Sequence, residues 1–185
     1  MKYSKINEEL KIETDIQRIN KNFRKYIEQV FSKTFLKKID RVFKEPLVVE
    51  NFKEDSNVMA ATSGTQIMVN SKMFNSLKAS EGLMYIIHEF FHVLQNMEQF
   101  KEIKTVNRML GNITKKYISS NKINLFLTGK EQNIHSDANE EFLSYCSNFA
   151  FKFDLAPNLK KEYYRILDQS GLFNMESEFW SKRFK

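Results

Sequence analysis

The stretch Leu83-Met84-Tyr85-Ile86-Ile87-His88-Glu89-Phe90-Phe91-His92-Val93-Leu94-Gln95-Asn96-Met97 decides how this chain is read. At about 100° per residue, Tyr85, His88, Glu89, His92, Gln95, Asn96 and, further on, Gln99 share one sector of about 120°. Apolar side chains fill the rest of the circumference. A helix so patterned is buried on most of its surface and turns one polar strip toward a cleft or toward solvent. Within the strip, His88-Glu89-Phe90-Phe91-His92 matches the pattern HExxH. Residues i and i+4 lie one turn apart on the same helix face, so both imidazoles can reach one zinc ion. Glu89, rotated by about 100°, stands beside the ligands, where a carboxylate can take a proton from an activated water. Two of the chain's three histidines sit in this strip.

A catalytic zinc ion typically takes three protein ligands and keeps one open position. Glu98 stands where an HExxHxxGxxH pattern would put its last ligand, but Gln95 replaces the glycine turn, so a continuing helix would point Glu98 away. Further downstream, His135-Ser136-Asp137-Ala138-Asn139-Glu140-Glu141-Phe142-Leu143-Ser144-Tyr145 leads into an apolar helical run. Together with the HExxH helix, this segment resembles the glutamate helix of gluzincin metallopeptidases, both thermolysin-like and clostridial Pro-Pro endopeptidase-like. The resemblance covers roughly residues 57–150. It implies a zincin-like domain, a Zn2+ cofactor, and hydrolysis of a polypeptide substrate through a metal-activated water.

Placing the family's small residue at Ser144 selects Glu141 as third ligand beside His88 and His92, with Glu140 and Asp137 as alternatives. The resemblance makes Glu89 the general base and calls for a donor to the oxyanion. His135 is the first choice for that donor, and Tyr117 and Tyr145 are alternatives. Many members of the family carry an aspartate four residues after the ligand; here that position is Tyr145, so Asp137 and Asn148 are candidates to orient a ligand histidine. Cys146 reads as a buried, inert thiol.

Upstream of the motif, Leu47-Val48-Val49, Asn57-Val58-Met59-Ala60 and Thr65-Gln66-Ile67-Met68-Val69-Asn70 read as short strands, with Ser63-Gly64 as a turn. They predict a small antiparallel sheet. The resemblance to zincins implies that Thr65 to Asn70 is the edge strand upstream of the metal helix that binds extended substrate. Residues 4–43 read as helix broken once, with Leu10, Ile16, Ile19, Phe23, Ile27, Val30, Phe31, Phe35, Ile39 and Val42 forming its apolar stripe. Ser119 to Asn133 reads as a long loop, and Pro157 and Gly171 punctuate the C-terminal helices. The fold class is α+β and predominantly helical: one domain over 1–185, with an N-terminal helical segment over 1–44 and a catalytic core over 45–185.

With 185 residues and 17 Phe, the chain can bury a substantial core. One cysteine excludes a disulfide framework and a cysteine-based zinc cluster. The start lacks a signal peptide's apolar core, and no run of about 18 apolar residues spans a membrane. A cytoplasmic location is the expectation, although packaging in a virion would leave no mark on the sequence. The net charge of +6 is spread among acids without an aromatic-basic module, which argues against nucleic acid as a partner. A structural or interaction protein of the same fold, in a larger complex or a virion, is the alternative to an enzyme.

Overall fold

Apolar residues at three- and four-residue spacing build the first helices. The computed structural model describes residues 22–43, 49–51, 59–70, 79–128, 140–147 and 156–184. Helix α1 covers residues 22–30 and buries Phe23, Ile27 and Val30. The expected break falls at Phe31 and Ser32. Phe31 forms an isolated antiparallel bridge with Phe173. The Ser32 hydroxyl accepts from the Phe35 amide at 3.3 Å and so caps helix α2, Lys33–Val42. Leu10, Ile16 and Ile19 of the predicted stripe lie outside the described residues.

Three short strands follow: β1 (Val49–Asn51), β2 (Ala60–Ser63) and β3 (Gln66–Val69). Gly64, at φ 60, supplies the left-handed turn between β2 and β3, a conformation that a Cβ disfavours. β2 and β3 pair antiparallel, with Ala60 opposite Val69 and Ser63 opposite Gln66. β1 joins the other side of β3 in parallel, with Val49 opposite Ile67, and the order is β1-β3-β2. The antiparallel pair agrees with the sequence reading, but the whole sheet is mixed. The edge assignment fails: β3 is central, its hydrogen-bonding groups shared between two neighbours, and β2 lies at an edge. Register cannot be misplaced easily here, because Ile67 and Val69 point into the core while Gln66 is exposed.

The remaining elements are helical: α3 (Ala79–Asn96), a 3-10 turn (Glu98–Phe100), α4 (Lys101–Tyr117), α5 (Ile123–Thr128), α6 (Phe142–Cys146), α7 (Pro157–Ser170) and α8 (Glu178–Phe184). α3 stops at Asn96 instead of running past Glu98, and Glu98 is exposed on the 3-10 turn. The expected loop over Ser119 to Asn133 is structured at its start. A 3-10 turn at Ser120–Lys122 leads into α5, whose Ile123, Phe126 and Leu127 are buried at helical spacing. Those apolar anchors outweigh the turn-like Ser and Asn residues before them. Pro157 opens α7 at its first turn, and Gly171, at φ 66, closes it in the left-handed region.

Phenylalanines join the N-terminal helices to α3. The Phe23 and Phe90 rings meet edge to face at 5.1 Å, and Phe31 meets Phe91 at 5.7 Å. Burying each of these rings contributes about 1.5–3 kcal/mol. Phe90 and Phe91, which lie between the motif's histidines, are thus core residues, and they fix the rotation of α3. From the far end of the chain, the Trp180 indole donates to the Val30 carbonyl at 2.8 Å. No helix among the described residues is long and apolar enough to cross a membrane.

Candidate metal centre

α3 packs Phe90 and Phe91 inward and therefore turns His88 and His92 toward α6. Their Nε2 atoms stand 3.2 Å apart. Glu141, immediately before α6, brings Oε2 to 3.3 Å from each of them. The three atoms form a nearly equilateral triangle. Ligand atoms held about 2.0–2.1 Å from a tetrahedral metal stand about 3.3–3.4 Å apart, so the observed edges fit a first-row divalent ion. Two imidazoles and one carboxylate are also the donor set that suits zinc's borderline preference. The group His88, His92 and Glu141 can hold a metal ion.

The burial of these donors shapes their charge. His88 and Glu141 are 6 % and 4 % exposed. Burial alone would push the Glu141 carboxyl up, but hydrogen bonds and charge from both histidines outweigh it and hold the group well below the usual range. His92 titrates above its ordinary value: desolvation lowers it, and Glu141, then Glu89 and Glu140, raise it further than that. Three lone pairs aimed at one point repel unless a cation lies among them. The negative charge of Glu141 favours a proton on His92, and a metal ion would meet the need for all three donors.

Three further contacts fix the segment that carries Glu141. Asn107, buried on α4, accepts the Leu143 amide at 2.8 Å on its Oδ1 and satisfies an otherwise orphaned donor at the start of α6. One turn along α4, Gly111 leaves room for the buried Phe142 ring: a Cβ there would sit 2.8 Å from Phe142 Cε2. At the other end of α6, the buried Arg183 donates from Nε to the Ser147 carbonyl at 2.9 Å, and its Nη2 reaches the same oxygen. A cation at this end of a helix complements the last carbonyls.

Glu89 lies beside the triangle and outside it. The Thr62 hydroxyl on β2 donates to Glu89 Oε2 at 2.7 Å, and the Glu89 carbonyl lies 3.0 Å from the same hydroxyl. Tyr145 packs its ring edge to face on His88, with centroids 4.9 Å apart. Burial, then the charges of Glu141 and Glu89, push its phenol far above its ordinary value, so the hydroxyl stays protonated and able to donate.

Of the residues singled out by sequence, His88, His92 and Glu141 converge, Glu89 flanks them, and Tyr145 adjoins them. Glu140 is exposed and outside the triangle, and Glu98 is exposed beyond the end of α3. Tyr117 is 44 % exposed at the end of α4. His135, Asp137 and Asn148 lie outside the described residues. Cys146 is buried, its Sγ–H directed to the Phe142 carbonyl at 3.0 Å, and burial pushes its thiol well above the ordinary value. That is an inert thiol. Sequence reasoning missed Thr62, Asn107 and Gly111. A mid-helix glycine one turn after an asparagine was the available signal for the last two. The chain matches no protein-family model, and no curated protein or solved structure resembles it significantly.

Proposed function

We propose that this protein is a zinc-dependent metallopeptidase of gluzincin type, with His88, His92 and Glu141 as ligands and Glu89 as general base. The observation that carries the reading is the three-donor triangle with edges of 3.2–3.3 Å, flanked by a carboxylate that is not part of it. Bound zinc would supply a polarised carbonyl and a water with its pKa lowered to about 7. The protein's own groups do the rest. Glu89 accepts the water's proton and later delivers it to the leaving amine. Thr62 holds Glu89 Oε2 by its hydroxyl and so fixes which oxygen is free for proton transfer. Tyr145, protonated and packed on His88, is a candidate donor to the developing oxyanion. His135 remains the sequence-based candidate for the same role.

The experiment is a metal and activity titration. Protein purified without chelator is expected to carry about one zinc per chain. It is expected to cleave members of a mixed-sequence peptide library, to stop on chelation, and to recover with added zinc. Protein that takes up no transition metal overturns the reading.

A further inference from the structure

Between the end of α3, one face of α4, Glu140 and Phe142 runs a cavity of about 380 Å³. Lys101, Lys104, Arg108 and Lys115 line it and are exposed. At about 100° per residue these four fall within a sector of about 60°, so they form one basic row along α4. The row spans about 21 Å at a rise of about 1.5 Å per residue, the length of about six residues of extended polypeptide. Lys101, Lys104 and Arg108 make no ion pair with a described residue. Glu140 is the acid among the lining residues, while Glu102 on the same helix turns away to Lys38.

A second observation concerns a residue of the same groove. Gln95 lines it, is 8 % exposed, and has a buried Nε2 with no hydrogen-bond partner among the described residues. A buried amide donor left unpaired is costly, and such exceptions call for a ligand or a water. Gln95 stands three residues after His92, and Glu140 and Phe142 flank Glu141. The groove thus neighbours two of the three donors along the chain, although the donors themselves do not line it.

We infer that this groove binds an acidic stretch of the polypeptide substrate, with the α4 row pairing with its Asp and Glu side chains and the Gln95 amide turning outward to donate to its backbone or a carboxylate. This specificity rests on the peptidase reading. A polypeptide fits better than a nucleic acid because the groove carries a single row of cations, and the one aromatic among its described lining residues, Phe142, is buried and cannot stack on bases. Surface charges of this kind act through attraction that salt screens.

The test is direct binding of fluorescent decapeptides to zinc-loaded Glu89→Gln protein, which separates recognition from turnover. An Asp/Glu-rich peptide is expected to bind about 10-fold or more tighter than a Ser/Gln-rich one at about 50 mM salt. Most of that preference should vanish at about 300 mM salt. It should also vanish in Lys104→Gln/Arg108→Gln protein, whose two altered side chains are exposed and leave the fold intact. Gln95→Leu should weaken both peptides alike. Equal binding of the two peptides, or an acidic preference that survives the double substitution, overturns the inference. So does a single-stranded oligonucleotide that outcompetes the acidic peptide and loses affinity in the same variant. Acidic-peptide binding by a wild type that hydrolyses nothing would sink the peptidase reading and leave the groove standing. Hydrolysis without acidic preference would do the reverse.

Discussion

The Thr62 hydroxyl donates to Glu89 Oε2 across 2.7 Å, joining the edge strand β2 to the helix that carries both histidines. The bond commits one carboxylate oxygen and leaves the other for the proton transfer proposed above. Thr62→Val keeps the side chain's shape and removes the donor. Zinc content should hold, and peptide turnover should fall by about 10-fold as the base loses its fixed orientation. Thr62→Ser should retain most of the activity. A Val variant as fast as wild type would show that β2 does not orient the base.

Glu141 and Glu140 are neighbours with opposite fates, one buried against two imidazoles and the other exposed. Glu141→Ala should weaken zinc binding by about 100-fold or more, and Glu140→Ala by less than about 3-fold. Competition with a zinc-chelating dye measures both. Equal losses would mean that the register of the ligand segment is wrong.

Gly111 offers a test whose sign is opposite to intuition. Replacing a mid-helix glycine with alanine ordinarily stabilises by about 1 kcal/mol. Here the added methyl would meet Phe142 at 2.8–2.9 Å, and that ring is buried beside the third ligand. Gly111→Ala should therefore destabilise by about 1–3 kcal/mol and weaken zinc binding along with it. Denaturant unfolding followed by zinc titration reads both. A stabilised variant would refute the packing argument.

Metal binding should depend on pH in a stated direction. His92 titrates above 6.5, so in the metal-free protein its protonated form adds stability that is lost as pH rises through the raised value. Glu141 titrates below 4.5, so its contribution is present above that value and is lost as pH falls through the depressed one. A metal ion on His92 would compete with its proton. The rise in melting temperature that zinc gives should therefore shrink as pH falls through the raised His92 value, and should level off above it. A zinc-induced rise that is constant from pH about 5 to about 8 would contradict protonation of this site.

The centre was legible because its chemistry is local. An i, i+4 pair of histidines announces itself within one turn, and the apolar residues around it already require one buried and one open face. Glu141 was found from the texture of a short segment, with the choice against Glu140 resting on one small residue, Ser144. What could not be read depends on partners far along the chain. Thr62 meets Glu89 only because of how the sheet docks on α3. β3 looks like an edge strand until the parallel partner, whose pairing leaves no short turn in the sequence, is seen on its other side. Asn107 and Gly111 read as ordinary helix residues until α6 is laid against them. The segment after Ser119 looked like loop because its Ser and Asn residues come first and its buried Ile123, Phe126 and Leu127 follow.

The central claim is that Glu89 works on a water activated at the His88, His92 and Glu141 centre, and the comparison of wild type with Glu89→Gln tests it most directly. Glutamine keeps the size of the side chain and can still accept from Thr62, so zinc content and melting temperature should match wild type. With both proteins zinc-loaded, wild type should hydrolyse members of a mixed-sequence peptide library, and Glu89→Gln should do so at least about 100-fold more slowly, on the scale of losing a general base. A variant that cleaves as fast as wild type, or a zinc-loaded wild type that cleaves no member of the library, would contradict the account.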